Sequence, residues 1–345
     1  MKYSVVFVIL AIIIIIISSL GIGLIIYRQN PTRYYYKGEN SYLSGNYEAA
    51  IDSLNEYISY GYKNNNTQKA RYYLAASLKN LSKYTLAKRR LLDVINNNTR
   101  TTFYVEAIVD YAEICRIEKQ YNRFILTKLE DVVHSKPDNL IEDNIFLELG
   151  YQYLFAKDYL KAMDSFLKTS SELGLLGRAR VNIKLGEPES AFKIYEDFLR
   201  FYPSSRYKAD VKKAFLKQVT AYALTKRKQK KFVEAIIYFS RIVKNFPDSP
   251  ESEYALYKIG ESYYDLKNYT KALSFYYKVT EDINTKMDDD ALYYIGLTYY
   301  KMSKFAESYK AFNLLINKYP GSIYLNRAKQ WVIQLKKDLV YFEGQ

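Results

Sequence analysis

The sequence has too little cysteine and histidine for several kinds of chemistry. Cys115 is the only cysteine in 345 residues, so no intramolecular disulfide can form. His134 is the only histidine, which excludes a two-histidine metal site. We expect Cys115 to be a buried core residue and His134 to lie in a solvated turn. We therefore predict a protein without catalytic activity, cofactor or metal ion.

Glycine and proline are also scarce, with 13 and 7 residues. This scarcity argues against a β-sandwich or barrel, which needs many turns, and favours long helices. The glycines form no phosphate-binding loop. The run Asp288-Asp289-Asp290 could suggest a cation site. It lies just before a predicted helix, however, where carboxylates cap free amides, and we predict that role instead.

Positive charge is abundant but dispersed. The formal net charge is +14, and the densest cationic stretch is residues 226–231, at a predicted helix end where cations suit the helix dipole. Elsewhere Lys and Arg are spread along the sequence and are not clustered. Such a distribution is expected when the whole composition is enriched in these residues. This pattern argues against nucleic-acid binding.

A long apolar run stands at the amino terminus. Val5 to Ile26 carries no charge, and as a helix it would measure about 33 Å, enough to cross a bilayer. It is too long for a cleaved signal peptide, and no small-x-small cleavage site or lipid-accepting cysteine follows it. We predict a permanent single-pass anchor within residues 1–30. The flanking cations, Lys2 against Arg28, Arg33 and Lys37, differ too little to fix its orientation.

A repeat of small and aromatic residues runs through the rest of the chain. Ile259-Gly260 and Ile295-Gly296 begin two copies of one pattern 36 residues apart. The two copies continue with Tyr263, Tyr269, Ala272 and Tyr276, and with Tyr299, Phe305, Ser308, Phe312 and Pro320. Upstream copies include Gly38, Ala50 and Leu54; Ala75, Ala87 and Leu91; Gly150, Ala162 and Phe166; Ala191 and Tyr195; and Ala223, Ala235 and Phe239. Residues 104–137 form the poorest copy and need a one-residue slip.

This pattern resembles the tetratricopeptide repeat (TPR), in which pairs of antiparallel helices stack into an α-solenoid. About eight copies span residues 31–322, and Pro203, Pro247 and Pro320 follow predicted second helices. We predict an all-α fold with an anchor at 1–30, a first repeat block at 31–205, a second block at 206–322 and a capping helix and tail at 323–345. Trp331 and Leu335 should face inward on that last helix, with Lys336 and Lys337 outward.

The repeat boundaries point to one group of TPR proteins. FYPSSRYKAD, NFPDSPESEY and KYPGSIYLNR share an aromatic-Pro-x-Ser core. This core resembles the repeats of two bacterial envelope proteins, the Tol-Pal-associated periplasmic coordinator and the assembly lipoprotein of the Bam complex, over residues 200–335. The resemblance implies a protein-binding scaffold whose repeats face the periplasm. The predicted transmembrane helix departs from those soluble or lipid-anchored proteins.

Mitochondrial import receptors, which also place a membrane helix before a TPR array, are an alternative in outline. The chaperone-binding version of the fold clamps a carboxylate with Lys and Asn on its first helix. The matching positions here are Tyr35, Glu39, Tyr72 and Ala76, so the clamp is absent.

The first helices of stacked hairpins are expected to line the inner face of the array, where partners bind. In the second block this places an aromatic groove with a few charges on that face, and Tyr offers broad contact area with a polar tip. The predicted groove residues are Tyr254, Tyr257, Glu261, Tyr264, Tyr293, Leu297, Tyr300, Lys301, Lys217 and Arg227. Lys217, Arg227 and Lys228 would favour an acidic segment.

We therefore predict a non-catalytic, membrane-anchored scaffold for unidentified protein partners, supporting assembly of an outer-membrane or cell-wall complex. The anchor would lie in the inner membrane, with the repeats in the periplasm. Two alternatives remain open, namely a membrane-tethered cytoplasmic adaptor and a regulatory subunit that recruits a separate peptidoglycan-active enzyme.

Overall fold

A computed structural model describes residues 30–97, 103–135, 139–281 and 287–343. Every regular element in these ranges is an α-helix. The helices are α1 Thr32–Leu43, α2 Tyr47–Ser59, α3 Asn65–Asn80, α4 Tyr84–Asn97, α5 Tyr104–Glu118, α6 Arg123–His134, α7 Asn139–Phe155, α8 Tyr159–Leu167, α9 Glu172–Leu185, α10 Pro188–Phe201, α11 Lys208–Lys228, α12 Phe232–Asn245, α13 Pro250–Asp265, α14 Tyr269–Thr280, α15 Asp288–Lys301, α16 Phe305–Lys318 and α17 Leu325–Glu343.

Within each unit, successive helices pair into hairpins, namely α1/α2, α3/α4, α5/α6, α7/α8, α11/α12, α13/α14 and α15/α16, and α17 follows the last pair. These hairpins confirm the all-α repeat fold. The chain forms two compact units, one ending at Pro188 and one running from Glu189 to Gln345. The block boundary predicted at residue 205 remains a prediction.

The predicted anchor, Val5 to Ile26, lies outside the described residues. Among the helices that the structure describes, none combines the length and apolar character needed to span a bilayer.

Asparagine and aspartate start many of the helices. Asn46, Asn122, Asp158 and Asn268 precede second helices, and the side chain of each accepts a hydrogen bond from the backbone amide three residues later. That bond satisfies one of the free amides at a helix start. Short polar residues thus fix where these four second helices begin.

Each hairpin turn contains one residue in the left-handed backbone region. Glycine takes this position at Gly45, and Gly186 has the same conformation at the end of α9. In the other hairpins a serine or lysine takes it, namely Ser82, Lys119, Lys157, Lys230, Lys267 and Ser303. A left-handed non-glycine residue costs on the order of 1 kcal/mol. The chain therefore makes its hairpins with few glycines by accepting local strain.

Small residues lie where the two helices of a hairpin cross. A Cβ atom built on Gly260 would lie 2.6 Å from Tyr276, and one on Gly296 would lie 2.6 Å from Phe312. Ala50, Ala162 and Ala272, on second helices, are fully buried. The predicted repeat register is confirmed at these positions, because only a small side chain fits between the paired backbones.

The third hairpin also shows the predicted slip. In α2 the buried residues Ala50 and Leu54 lie four and eight positions after the cap Asn46. In α6 the buried residues Ile125 and Leu129 lie three and seven positions after the cap Asn122. The core of α6 therefore moves by one residue toward its cap, and Ile125 takes the place of the usual alanine.

The last helix covers the open end of the second unit. Leu335 and Ala328 are fully buried, and the ring of Trp331 stacks on Phe312 at 5.9 Å between centroids. Lys336 and Lys337 are exposed. The predicted inward and outward faces of this helix are confirmed.

Candidate partner-binding surface

The predicted groove residues lie on the first helices α11, α13 and α15 of the second unit. Direct contacts connect α11 to α13 and α13 to α15. Side chains on this side of each first helix therefore contact those of the next hairpin, and some are buried between the two hairpins. The structure separates those residues from the ones that stay accessible.

Glu261 joins two of the first helices. Its carboxylate accepts hydrogen bonds from Arg227 on α11 and from Lys258 Nζ at 2.7 Å. The Tyr257 hydroxyl donates to the same carboxylate at 3.3 Å. Arg227 also bonds Asp265 Oδ2 at 2.5 Å. Arg227 is thus paired within the unit and is not the free cation that we expected for an acidic partner segment.

Tyr257 and Tyr293 do not face away from the core as expected. They are 4% and 8% exposed, respectively. The Tyr293 ring stacks on Tyr324 at 4.4 Å between centroids, and Tyr257 packs edge-on against Tyr294 at 5.8 Å. Burial, reinforced by the charge of Glu261, raises the pKa of Tyr257 above its ordinary value, so its hydroxyl stays a donor. These two rings hold neighbouring hairpins together.

The other predicted residues remain at least partly accessible. Lys217 and Lys301 are exposed. Four apolar or aromatic groups are half-buried, namely Tyr254, Tyr264, Leu297 and Tyr300. We call these six residues the inner surface. They offer aromatic edges and two cations, and that they contact a partner remains a prediction.

The aspartate run at the start of α15 has a different role from the predicted cap. The cap position is Met287, without a side-chain hydrogen bond, and the three aspartates occupy the first helical turn. Their position near the positive helix end agrees with the dipole argument. Asp288 accepts the Tyr319 hydroxyl at 2.6 Å, and Asp290 accepts the Tyr324 hydroxyl at 2.9 Å. The run therefore ties α15 to the segment that precedes α17.

The first unit contains a second set of ion pairs, which the sequence interpretation missed. Lys79 on α3 bonds Asp110 at 2.5 Å and Glu113 at 2.7 Å on α5. Arg116 on α5 bonds Glu113 at 3.2 Å and Glu148 on α7 at 2.8 Å. We call these five residues the charge ladder. It crosses three consecutive first helices.

A spacing rule in the sequence could have revealed both sets. The pairs Lys79–Glu113 and Arg227–Glu261 are each 34 residues apart, about one repeat. In both cases the cation precedes the carboxylate by one hairpin. Opposite charges at the repeat period, on the first helix, were therefore the available signal.

Burial sets the protonation of two groups in the first unit. Burial raises the pKa of Glu148 to about 7, although the guanidinium of Arg116 opposes the shift. One carboxyl oxygen of Glu148, Oε2, has no hydrogen-bond partner. Burial also raises the pKa of the Cys115 thiol to about 11. Cys115 is buried as predicted, and its thiol is therefore protonated and poorly reactive at neutral pH.

No group of three or more His, Cys, Asp or Glu side chains in the described ranges is arranged to hold a metal ion. His134 is the last residue of α6 rather than part of a turn. It is exposed, as expected, and its Nδ1 lies 2.7 Å from the Glu130 carbonyl oxygen. It has no titratable partner among these contacts.

A known protein family matches the carboxy-terminal part of the chain. The family model YfiO, described as outer membrane lipoprotein, matches residues 151–268 and 217–345. Together the two matches cover residues 151–345, more than half of the chain. The chain belongs to the YfiO family. The predicted resemblance to envelope TPR proteins is thus confirmed, and the match begins upstream of the predicted residues 200–335.

Solved structures with the same kind of repeat are similar at low identity. MamA from Desulfovibrio magneticus RS-1, solved from its residue 41 to the end, is 17% identical, with coverage of 52% of this chain and 98% of that solved chain and a TM-score of 0.43. A TPR protein from Parabacteroides merdae is 13% identical, with coverage of 89% and 99% and a TM-score of 0.43. No curated protein matches the sequence. These structural similarities add nothing to the YfiO family assignment.

Proposed function

We propose that this YfiO-family chain is a membrane-anchored, non-catalytic scaffold that binds protein partners through the inner surface. The observation that carries the proposal is the YfiO match over residues 151–345, which contain that surface. Its family is described as outer membrane lipoprotein, and this supports a role in assembling an envelope complex. The anchor would be the apolar run Val5 to Ile26 in the inner membrane, with the repeats in the periplasm.

The chemistry of the inner surface supports binding of protein segments. Tyr264 and Tyr300 present half-buried rings that are already held by Tyr294 and Trp331, at 6.0 and 4.7 Å between centroids. A ring fixed in this way loses little entropy when a partner covers it. Lys217 on α11 and Lys301 on α15 add positive charge, which favours a partner segment with acidic residues.

Site-specific photocrosslinking in living cells tests the surface. A photoreactive amino acid replaces Leu297 on α15, and a matched variant carries it at Leu314, an exposed residue on the second helix α16. We expect covalent adducts with another protein from the Leu297 position and none from the Leu314 position. Adducts from Leu314 alone would show that the partner binds the opposite helices and would refute the inner surface.

Protease accessibility tests the location. We expect digestion of the repeats once the outer membrane is permeabilised and no digestion in intact cells. Protection until the inner membrane is opened would place the repeats in the cytoplasm. That result would favour the membrane-tethered adaptor over the envelope scaffold.

A further inference from the structure

A cluster of tyrosines lies at the end of the first hairpin where α1 begins and α2 ends. Tyr34 stacks on Tyr60 at 6.2 Å between centroids, and Tyr60 stacks on Tyr62 at 6.5 Å. Tyr35 and Tyr57 lie beneath them, 5.5 Å apart. The Tyr35 ring also contacts Tyr36 on α1. We call these six residues the tyrosine cluster.

The accessible rings of the chain are concentrated in this cluster. Among the described residues five tyrosines are markedly exposed, and three of them, Tyr36, Tyr60 and Tyr62, lie here, between 45% and 55% exposed. The other two, Tyr121 and Tyr277, lie on other hairpins. A general abundance of tyrosine would have spread the exposed rings along the array.

Cations accompany the cluster. The Arg33 guanidinium lies 4.6 Å from the Tyr34 ring centroid and donates to its hydroxyl. Tyr62 also borders an open cleft of about 380 Å³ at the start of α3. Lys63 and Arg71 are the charged residues among those lining the cleft. Exposed tyrosines beside an acid-free cationic cleft match the headgroup layer of a membrane with anionic lipids.

The short connection to the predicted anchor limits how far the tyrosine cluster can lie from the membrane. Five residues separate Ile26, the last residue of the apolar run, from Thr32, the first residue of α1. Even fully extended, five residues span at most about 18 Å. If residues 5–26 cross the bilayer, the start of α1 and the adjoining tyrosine cluster must therefore stay close to the membrane surface.

We propose that the tyrosine cluster and its neighbouring cations dock on the bilayer surface and orient the first hairpin against the membrane. The phenol rings would insert at the headgroup level, where an apolar body and a polar tip are both satisfied. Arg33, Lys63 and Arg71 would meet lipid phosphates. This inference rests on the membrane anchor of the proposed function.

Quenching by spin-labelled lipids in nanodiscs tests the docking with the full chain. The variant Tyr62→Cys is labelled with an environment-sensitive fluorophore, and Cys115 stays unlabelled because it is buried. The matched control is Tyr121→Cys, equally exposed but at the α5/α6 turn, the opposite end of the hairpins. In discs containing anionic lipid, we expect at least about twofold stronger quenching at position 62 than at position 121.

A second variant separates docking from mere proximity. Replacing Tyr36 and Tyr60 by serine in the Tyr62→Cys background should reduce the quenching at position 62, with helix content unchanged by circular dichroism. Equal quenching at positions 62 and 121, or none at either position while the protein remains in the discs, would refute the docking but leave the anchor intact. A chain that leaves the discs when detergent is removed would refute the anchor and the docking together.

Discussion

At the scale of single residues, the glycines on first helices mark where a neighbouring second helix approaches closely. Gly150 and Gly177 both face the ring of Phe166, each with a would-be Cβ less than 3 Å from the ring. Gly38 faces Leu54 in the same way. These contacts are close because the two helix backbones approach each other, and any larger side chain would push them apart.

The first prediction concerns Gly260. Gly260→Leu should lower the free energy of unfolding of the second unit by about 1–3 kcal/mol, because the leucine overlaps the Tyr276 ring. Gly321→Leu is the control, since no neighbouring atom lies within 4 Å of its would-be Cβ. Thermal unfolding followed by circular dichroism compares the two variants. Equal melting temperatures would show that the glycine contact carries no weight.

The prediction of accessibility fails for residues that a ring outside their own hairpin covers. Tyr257 and Tyr293 each contact the second helix of their own hairpin, at Tyr276 and Phe312 respectively. Tyr293 is covered further by Tyr324, which precedes α17 and stacks on its ring. Nothing within α15 reveals that partner, so sequence reasoning about α15 alone could not find it.

At the scale of elements, α17 shows why a stack of hairpins needs a final helix. Without it, the outward side of α15 and α16 would expose the rings of Phe312 and Tyr300, which Trp331 covers. Terminal repeats of this kind are capped by a helix that is apolar on one side and polar on the other. The apolar side of α17 consists of Ala328, Trp331 and Leu335.

The second prediction concerns this helix. Trp331→Ala should destabilise the second unit by about 2–3 kcal/mol, because the indole packs on Phe312 and Tyr300. Ile333→Ala, on the exposed side of α17, should change stability by less than about 0.5 kcal/mol. Chemical denaturation of both variants gives the comparison. If the two substitutions cost the same, α17 does not act as a cap.

At the scale of the whole molecule, each unit uses charge pairs to connect consecutive first helices. The first unit has the charge ladder, and the second has Arg227 with Glu261 and Asp265. Apart from Glu113 and Asp265, the side chains in these pairs are largely withdrawn from water. Removing the partner of such a side chain leaves a charge that is poorly solvated. The protonation of the ladder should therefore affect the stability of the first unit as a whole.

The third prediction is a pH dependence of that stability. The folded pKa of Glu148 is about 7, well above the value of a free glutamate, so between these values the folded state binds the extra proton. The stabilisation that the Glu148 carboxyl gives the folded state is complete below its unfolded pKa and is lost as the pH rises through about 7. Glu148→Gln should remove the part of the fall in unfolding free energy with rising pH that Glu148 causes. This part amounts to at most about 3 kcal/mol.

Denaturation of the full chain at about pH 5 and about pH 8 measures the effect, with the change in unfolding free energy compared between variants. Asp110 and Glu106 contribute in the same direction, since burial raises the pKa of each. The comparison with the native sequence isolates Glu148. Glu48→Gln, at an exposed position, is the matched control and should leave the pH dependence unchanged. An identical pH dependence in Glu148→Gln would refute the assignment.

The sequence by itself determined the repeat, its register and the capping helix. Those features depend on small and aromatic residues at a fixed spacing, such as Gly260 with Tyr276. That spacing can be read directly from the amino-acid sequence. Only the tertiary structure decided which groove residues stay accessible and which of the opposite charges at the repeat spacing form ion pairs. Tyr257, Tyr293 and Arg227 have partners that lie a whole hairpin away, so helix packing, which local periodicity does not encode, selects them.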